Sequence, residues 1–587
     1  MRLRRPCASS FAPEAMGERS TLVLTAYLRL WSVANILRIL SGFVAGTALK
    51  DTVQAQPVHL LLGLLVGTLL RPVPPLALGA LAVRVATNLS KGPWMGNSQL
   101  WATFTDVALL IALCRACARR RSAGALDVSE ERAVVESVAA TIRAQLFLFY
   151  LASGFWKVNS SFLHADYSCG SLFTVQPLEY LPDDVLFGSA LVKRVARLIA
   201  DTGPGVTLAL EFAMPALHLP DAERWPRAAR AGVLATLFFH LAIGFTPPPS
   251  NVSSYGVTTV TRLFFCLPED FAAAVDDVLR RPLLRFALAA APAVALAVVE
   301  PLHAVAVSTV QGSGRDWHLA YYAALCVVVG RACLAPPAAK PAQKTEATDR
   351  PHGRACRAQV ALAFFYAFLM PIIGLQEKGG CLMFSQLRLH GGSNHLLLPT
   401  SLLQRWYYGA EPSNAFAGGV VRINAYSLDW IGSPFAEHMS PRTLRVIRDV
   451  AAVPGEYVWA AKQVTARRDV PPPRKWRYTV SNLGLRRLLM TAKRQGEPLR
   501  LEYERLPGPA GDERWRTQAP GDAVLLDVDD RGNVTSCLKA GAPCDDDELA
   551  LVAPPDATSA AFATMLLPQP NPIIPGMTAE MHCVTWG

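Results

Sequence analysis

The sequence predicts a mainly α-helical, polytopic membrane domain of about eight to eleven helical segments, followed by a small β-rich soluble domain. Three observations lead there. Charge is scarce: 18% of the 587 residues are charged and 51% are hydrophobic, whereas a soluble domain carries roughly 25% charged residues. Between Thr21 and Gln376 the apolar residues gather in runs that approach the roughly 20 residues of a bilayer crossing. After Lys378 the chain turns to ordinary charged, Pro-rich and Gly-rich sequence, so the mean hydropathy of +0.24 averages two unlike halves. The expected division is a basic segment over 1–20, a membrane domain over 21–376, a box at the membrane mouth over 377–404 and a β-rich domain over 405–587.

In chain order the apolar runs predict helices at Thr21–Ala48, Pro57–Leu70, Pro74–Thr87, Leu100–Ala118, Val134–Trp156, Gly203–Leu219, Ala231–Phe245, Tyr255–Leu267, Phe286–Val307, Leu319–Leu334 and Gln359–Gln376. Several are too short to span alone, so re-entrant or tilted pieces are expected among them. The first run begins only near Leu22 and is interrupted by Arg29 and Arg38. It therefore lacks the compact charge-free core of a cleaved signal peptide and reads as a retained helix. In the tail, Leu499–Tyr503 and Ala523–Val528 read as strands, bounded by Pro and Gly.

Net charge is +11, and its placement matters more than its size. The clusters at Met1–Arg5, Arg115–Arg121, Arg280–Arg285 and Arg331–Arg357 each border an apolar run, which is how cytoplasmic loops are marked. The lipid bilayer is thus the expected partner, and the basic balance needs no nucleic acid to explain it. This threading puts the N-terminus in the cytoplasm and everything after Gln376 on the lumenal or extracellular side. The sequons at Asn88, Asn159, Asn251 and Asn533 all fall on that side, as expected of a glycoprotein of the endoplasmic reticulum. Twelve cysteines are scattered. Cys114 and Cys117 form a CxxC inside an apolar run without the second pair a zinc site requires, so no metal is expected. Cys537, Cys544 and Cys583 lie in the tail, where one disulfide is expected outside the cytosol.

Polar residues inside apolar runs are the candidates for chemistry. Lys157 ends an apolar helix in FYLASGFWKVNSSF, beside Trp156 and behind Ala152, Ser153 and Gly154. It is either an interfacial lysine reaching to water or a base whose ammonium is disfavoured by its surroundings. His240 sits mid-helix in FFHLAIGFTPPPSNVSSYGVTTVTRLFF, where Pro247–Pro249 end the helix and a hydroxyl-rich stretch with Tyr255 leads to Arg262. It is either a site residue or a hydrogen-bonded core histidine. Glu211 and Glu300 are carboxylates in apolar runs, each needing a partner or a proton. Asp166 and Glu179 flank a loop that reads as surface. In GLQEKGGCLMFSQLRLHGGSNHLLLPTSLLQ, the polar Arg388, Asn394 and His395 stand among apolar residues, as in a segment that packs back on the membrane mouth. No GxGxxG, P-loop, HExxH or GxSxG occurs in its required context.

Three of these stretches, GFWKVNSSF, FFHLAIGFTPPPSNVSSYG and MFSQLRLHGGSNHLLLP, resemble the horizontally transferred transmembrane (HTTM) family, which includes the vitamin K-dependent γ-glutamyl carboxylases. The resemblance runs over most of Thr21–Gln404. It implies that Lys157 matches the catalytic base of a GxxKL segment and that His240 matches a histidine preceding a polar loop. Trp156, Asn159, Tyr255, Arg262, Arg388, Asn394 and His395 would then surround substrate or cofactor. Val158 and Asn159 stand where the animal enzymes carry Leu-Asp. The implied reaction is lumenal: a base deprotonates reduced vitamin K or a related quinone, oxygen converts it to a strong base, and carbon dioxide adds to a glutamyl side chain of a protein or peptide. The alternative expectation is an HTTM protein without that activity, either a transporter using Glu211, Glu300 and His240 or a scaffold whose tail binds a lumenal partner.

Overall fold

A computed structural model describes residues 23–44, 58–90, 97–119, 126–166, 168–218, 225–247, 253–267, 269–290, 314–334, 354–372, 380–382, 385, 387, 395–398, 420–428, 441–453, 477–505, 523–554, 557, 560 and 571–573. Of Tyr255 it describes the backbone alone. Glu300, Arg388 and Asn394 lie outside the described residues, as do the sequon at Asn251 and most of the run at Phe286–Val307.

Helix α1 (Val23–Val44) is the axis of the membrane domain: 89% of its apolar window is buried. Around it pack α2 (Val58–Leu70), α3 (Pro74–Ser90), α4 (Asn97–Arg119) and α5 (Val128–Trp156). Short α6 (Cys169–Val175) and long α7 (Ala190–Leu217) follow. Then come α8 (Pro226–Gly244), α9 (Ser253–Leu263), α10 (Glu269–Leu279), α11 (Gly314–Leu334) and α12 (Arg354–Phe364). The last continues through a π-helical turn at Phe365–Leu369 to Ile372. Four described helices are long and apolar enough to cross a membrane, in the windows Val23–Leu40, Ser98–Arg119, Val128–Trp156 and Arg354–Ile372. By helix length and composition the chain is a multi-pass membrane protein. At about 1.5 Å per residue, α2 is only about 20 Å long, which agrees with the short or tilted segments expected from sequence.

Local chemistry sets the boundaries. Asp127 caps α5 through the backbone N–H of Glu130 (2.9 Å) while Glu130 returns a bond to the Asp127 N–H (2.9 Å), and this capping box starts the helix six residues before the apolar run. Helix α7 begins well before the expected Gly203 and runs through Pro204. Proline has no N–H to give the carbonyl four residues back. That carbonyl, of Ala200, accepts instead from the Ser171 hydroxyl at 2.7 Å. The contact is possible because α6 and α7 meet glycine to glycine: a Cβ on Gly203 would lie 2.8 Å from the Gly170 carbonyl oxygen. The loop expected at the surface near Asp166 and Glu179 is thus partly helical and packed, with Asp166 bound to Arg197 at 3.0 Å and Glu179 accepting from Thr443.

The tail carries an antiparallel sheet in the order β6-β5-β4-β3-β1-β2-β7. Its strands are β1 (Val420–Tyr426), β2 (Arg477–Ser481), β3 (Leu499–Arg505), β4 (Val524–Val528), β5 (Val534–Lys539), β6 (Ala542–Pro543) and β7 (Asn571–Ile573). Both strands expected from sequence are present, as β3 and β4. Helix α13 (Asn482–Gln495) and the short α14 (Asp546–Val552) cover the sheet with Leu485, Leu488, Ala492 and Leu551. Leu483, on another face of α13, belongs to the membrane-domain core. A second anchor at Pro441–Val450 buries Leu444, Ile447 and Val450 against Phe162, Leu172 and Ala196.

Candidate active site at the membrane mouth

Lys157 caps the C-terminal end of α5, its backbone N–H bonded to Gly154 and Phe155 carbonyls. The side chain does not reach out to water. It is 4% exposed, and its Nζ lies 2.9 Å from Glu211 Oε1 and 3.1 Å from Ser153 Oγ. The Ser153 hydroxyl also donates to Glu211 Oε1 at 3.3 Å, while Glu211 Oε2 is buried with no hydrogen-bond partner among the described residues. Two residues noted separately in the sequence, 54 positions apart, therefore form one ion pair. A short donor–acceptor line of this kind can move one proton between nitrogen and oxygen without moving either backbone.

His240 is buried and has its own partner: its Nε2 lies 2.6 Å from the Tyr150 hydroxyl. Tyr150 precedes Lys157 by seven residues, two turns or about 10 Å along the same face of α5. The two polar couples thus share a helix face, two turns apart.

The box after the last membrane helix closes over Lys157's end of α5. His395 pairs with Asn159 in an antiparallel bridge, and the Leu396 N–H donates to the Val158 carbonyl at 3.0 Å. His395 Nδ1 accepts from the Leu397 and Leu398 N–H groups, both at 3.1 Å, so Nε2 carries the proton it donates to the Phe155 carbonyl at 3.0 Å. The two bonds accepted at Nδ1 require the neutral ring, and burial lowers the His395 pKa in the same direction, against the Phe155 bond, which raises it. Asn159 Nδ2 donates to the Trp156 and Ser385 carbonyls, while its Oδ1 accepts from the Phe162 N–H. Trp156 Nε1 donates to the Ala367 carbonyl at 2.8 Å. This is the carbonyl that Pro371, lacking an N–H, leaves open. Asn159, Trp156 and His395 are thus the scaffold that holds the lysine.

Arg262 lies apart from Lys157: its Nε donates to Thr105 at 2.8 Å, beside Asp106 and Arg84. Asn159 and Asn88 are buried, and the Asn88 amide donates to Thr103 at 3.0 Å, so neither sequon is open to glycosylation in the folded chain. Among the described residues Asn533 is the exposed sequon asparagine. Cys537 and Cys544 form the expected tail disulfide. Among the described residues no group of three or more His, Cys, Asp or Glu could hold a metal ion.

The sequence reading missed Ser153, Tyr150 and Cys381 as parts of the site. The first two stand four and seven residues before Lys157, a helix-face spacing that was available in the sequence. Cys381 is buried in the electrostatic reach of Lys157 and Glu211, and burial pushes its thiol pKa up. No motif marks it.

Residues 393–561 match a family described as a domain of unknown function, DUF8388. The chain matches no curated protein and no solved structure. The DUF8388 stretch takes in His395, β1–β6, α13 and α14, but neither Lys157 nor Glu211.

Proposed function

We propose that the chain is a membrane-embedded enzyme of the HTTM type, in which Lys157 and Glu211 act as a proton-transfer couple on a reduced quinone, in support of carboxylation of glutamyl side chains on the non-cytoplasmic side. The observation that carries this reading is the buried 2.9 Å contact between Lys157 Nζ and Glu211 Oε1. Water is excluded there, which keeps a strong base from being quenched. Lys157 takes the substrate proton at Nζ once its own proton has passed to Glu211, and Ser153 holds both groups in line.

Aromatic rings pack against one another beside the pair. The Phe155 and His395 rings are 4.7 Å apart, Trp156 and His395 are 5.6 Å apart, and Lys157 Nζ stands 5.9 Å from the Phe162 ring. Those four aromatic residues and the lysine would hold a quinone. When bound it supplies an acidic hydroxyl and, with oxygen, the base strong enough for a glutamyl γ-proton.

A lumenal or extracellular tail has support of its own. Cys537 and Cys544 are bonded to each other and Cys169 is also disulfide-bonded. Cys114, Cys117, Cys333 and Cys356, which are not in disulfides, lie near the basic, cytoplasm-assigned helix ends.

A second reading is favoured by other buried pairs, Arg29 with Asp276 and Arg84 with Asp106: Lys157 and Glu211 could likewise only join helices in a non-enzymatic membrane scaffold. An assay with reduced vitamin K, labelled bicarbonate and a Glu-containing peptide separates them. The enzymatic reading expects label in the peptide with wild type and none with Lys157→Ala; no label with wild type rejects it.

A further inference from the structure

Helix α13 carries Leu483, Arg487, Met490 and Arg494 at intervals of three and four residues, so the four side chains lie along one face. Leu483 is part of the membrane-domain core and Met490 packs against it, which turns this face toward the membrane domain. Arg487 therefore stands between two apolar contacts, where a leucine would be the ordinary choice. It is 0% exposed, and among the described residues its Nε and Nη1 meet no hydrogen-bond acceptor. The charge that acts on it is a like one, from Arg494.

Other cations of the tail are provided for. Arg422 is paired with Glu504, Arg500 with Asp527 and Arg505 with Glu548, while Arg486 donates to the Leu551 and Ala550 carbonyls at 3.0 and 2.8 Å. A guanidinium stripped of water without a counter-charge costs far more than an apolar side chain in the same place. The fold thus keeps at Arg487 a binding group that packing does not require. We propose that Arg487 binds the carboxylate of a water-borne ligand at the junction between the tail and the membrane domain. A planar carboxylate matches the guanidinium fork through two parallel hydrogen bonds and balances one cation with one charge. Leu483 and Met490 suit hydrocarbon beside that group. Arg494, exposed two turns along the same face, draws the anion in from the aqueous end. The site does not rest on the chemistry assigned to Lys157 and Glu211.

The test is thermal unfolding of the full chain in detergent at neutral pH and constant ionic strength, titrated with glutarate, with a Glu-containing peptide and with the same peptide carrying Gln in place of Glu. The expected result is a saturable upward shift of Tm with glutarate, the Glu peptide or both, and none with the Gln peptide; the shift is lost in Arg487→Met and weakened in Arg494→Gln. A response to glutarate shows that a free acid suffices, and a response to the Glu peptide alone assigns the carboxylate to a polypeptide. No shift with either carboxylate probe, an equal shift with the Gln peptide, or a full response in Arg487→Met overturns the proposal. Should Arg487→Met not fold, Arg487→Lys decides, since it keeps the charge but not the fork: weaker binding of the same probe than by wild type in titration calorimetry supports the site, and equal binding rejects it.

Discussion

Lys157 and Glu211 show how little room a buried charge leaves for substitution. Removing one partner strands the other in a nearly dry site, which costs about 3–5 kcal/mol, whereas removing both with matched shapes costs far less. Lys157→Met and Glu211→Gln are each expected to lower stability by that amount, and the double variant by clearly less, in a denaturant or thermal double-mutant cycle. Additive losses would mean that the 2.9 Å contact is not an energetic pair. His395 gives a pH prediction. Its folded pKa is lowered from an unfolded value of about 6.5, so below that value the unfolded chain binds more protons than the folded one. The stability contribution is full above about pH 6.5 and is lost as the pH falls toward the folded pKa. Wild type should therefore lose Tm on acidification from neutral more steeply than His395→Gln. Identical slopes would show that the ring does not titrate against folding. Both Lys157 and Glu211 were legible in the sequence as charges in apolar runs; their pairing was not, because it depends on where α7 crosses α5.

Helix α7 and the continuation of α12 to Ile372 each contain a proline that frees a carbonyl, and in each case a side chain from the mouth region takes it: Ser171 on Ala200 and Trp156 on Ala367. Sequence reading began α7 only at Gly203, where the apolar run begins; the hydroxyl that compensates Pro204 comes from 33 residues upstream and carries no local mark. Ser171→Ala should cost about 1–3 kcal/mol by leaving a buried carbonyl unsatisfied. In a Pro204→Ala background the helix can supply its own N–H, so the Ser171→Ala penalty should shrink. An unchanged penalty, measured by thermal unfolding, would place the role of Ser171 elsewhere. The C-terminal ends of α5, α8 and α11 were legible to within a residue from their apolar runs, but each helix begins five or six residues earlier, in more polar sequence. Helix α10 was missed: EDFAAAVDDVL is amphipathic and too charged for a membrane run.

At the scale of the molecule, the two-part organisation follows from composition, but the docking of tail on membrane domain does not. Helix α13 is buried on several sides because it serves two cores, Leu483 toward the membrane domain and Leu485 with Leu488 toward the sheet. Between them Arg487 is fully buried, with Nε and Nη1 unpartnered among the described residues, and burial draws its pKa down to about 10. Such a charge destabilises the junction, so Arg487→Met should hold or raise Tm by the equivalent of about 1 kcal/mol or more; a marked loss would mean that the guanidinium is paired in the working protein. The central claim concerns the mouth itself, where α5, α7 and the His395 box enclose one amine and one carboxylate. Its most direct test is labelled carbon dioxide incorporation into a Glu-containing peptide with reduced vitamin K, comparing wild type, Glu211→Gln and Lys157→Ala with and without added methylamine. The account predicts incorporation by wild type, a strong reduction in Glu211→Gln, and none in Lys157→Ala until methylamine partly restores it. Incorporation by Lys157→Ala equal to wild type, or none by wild type, would contradict it.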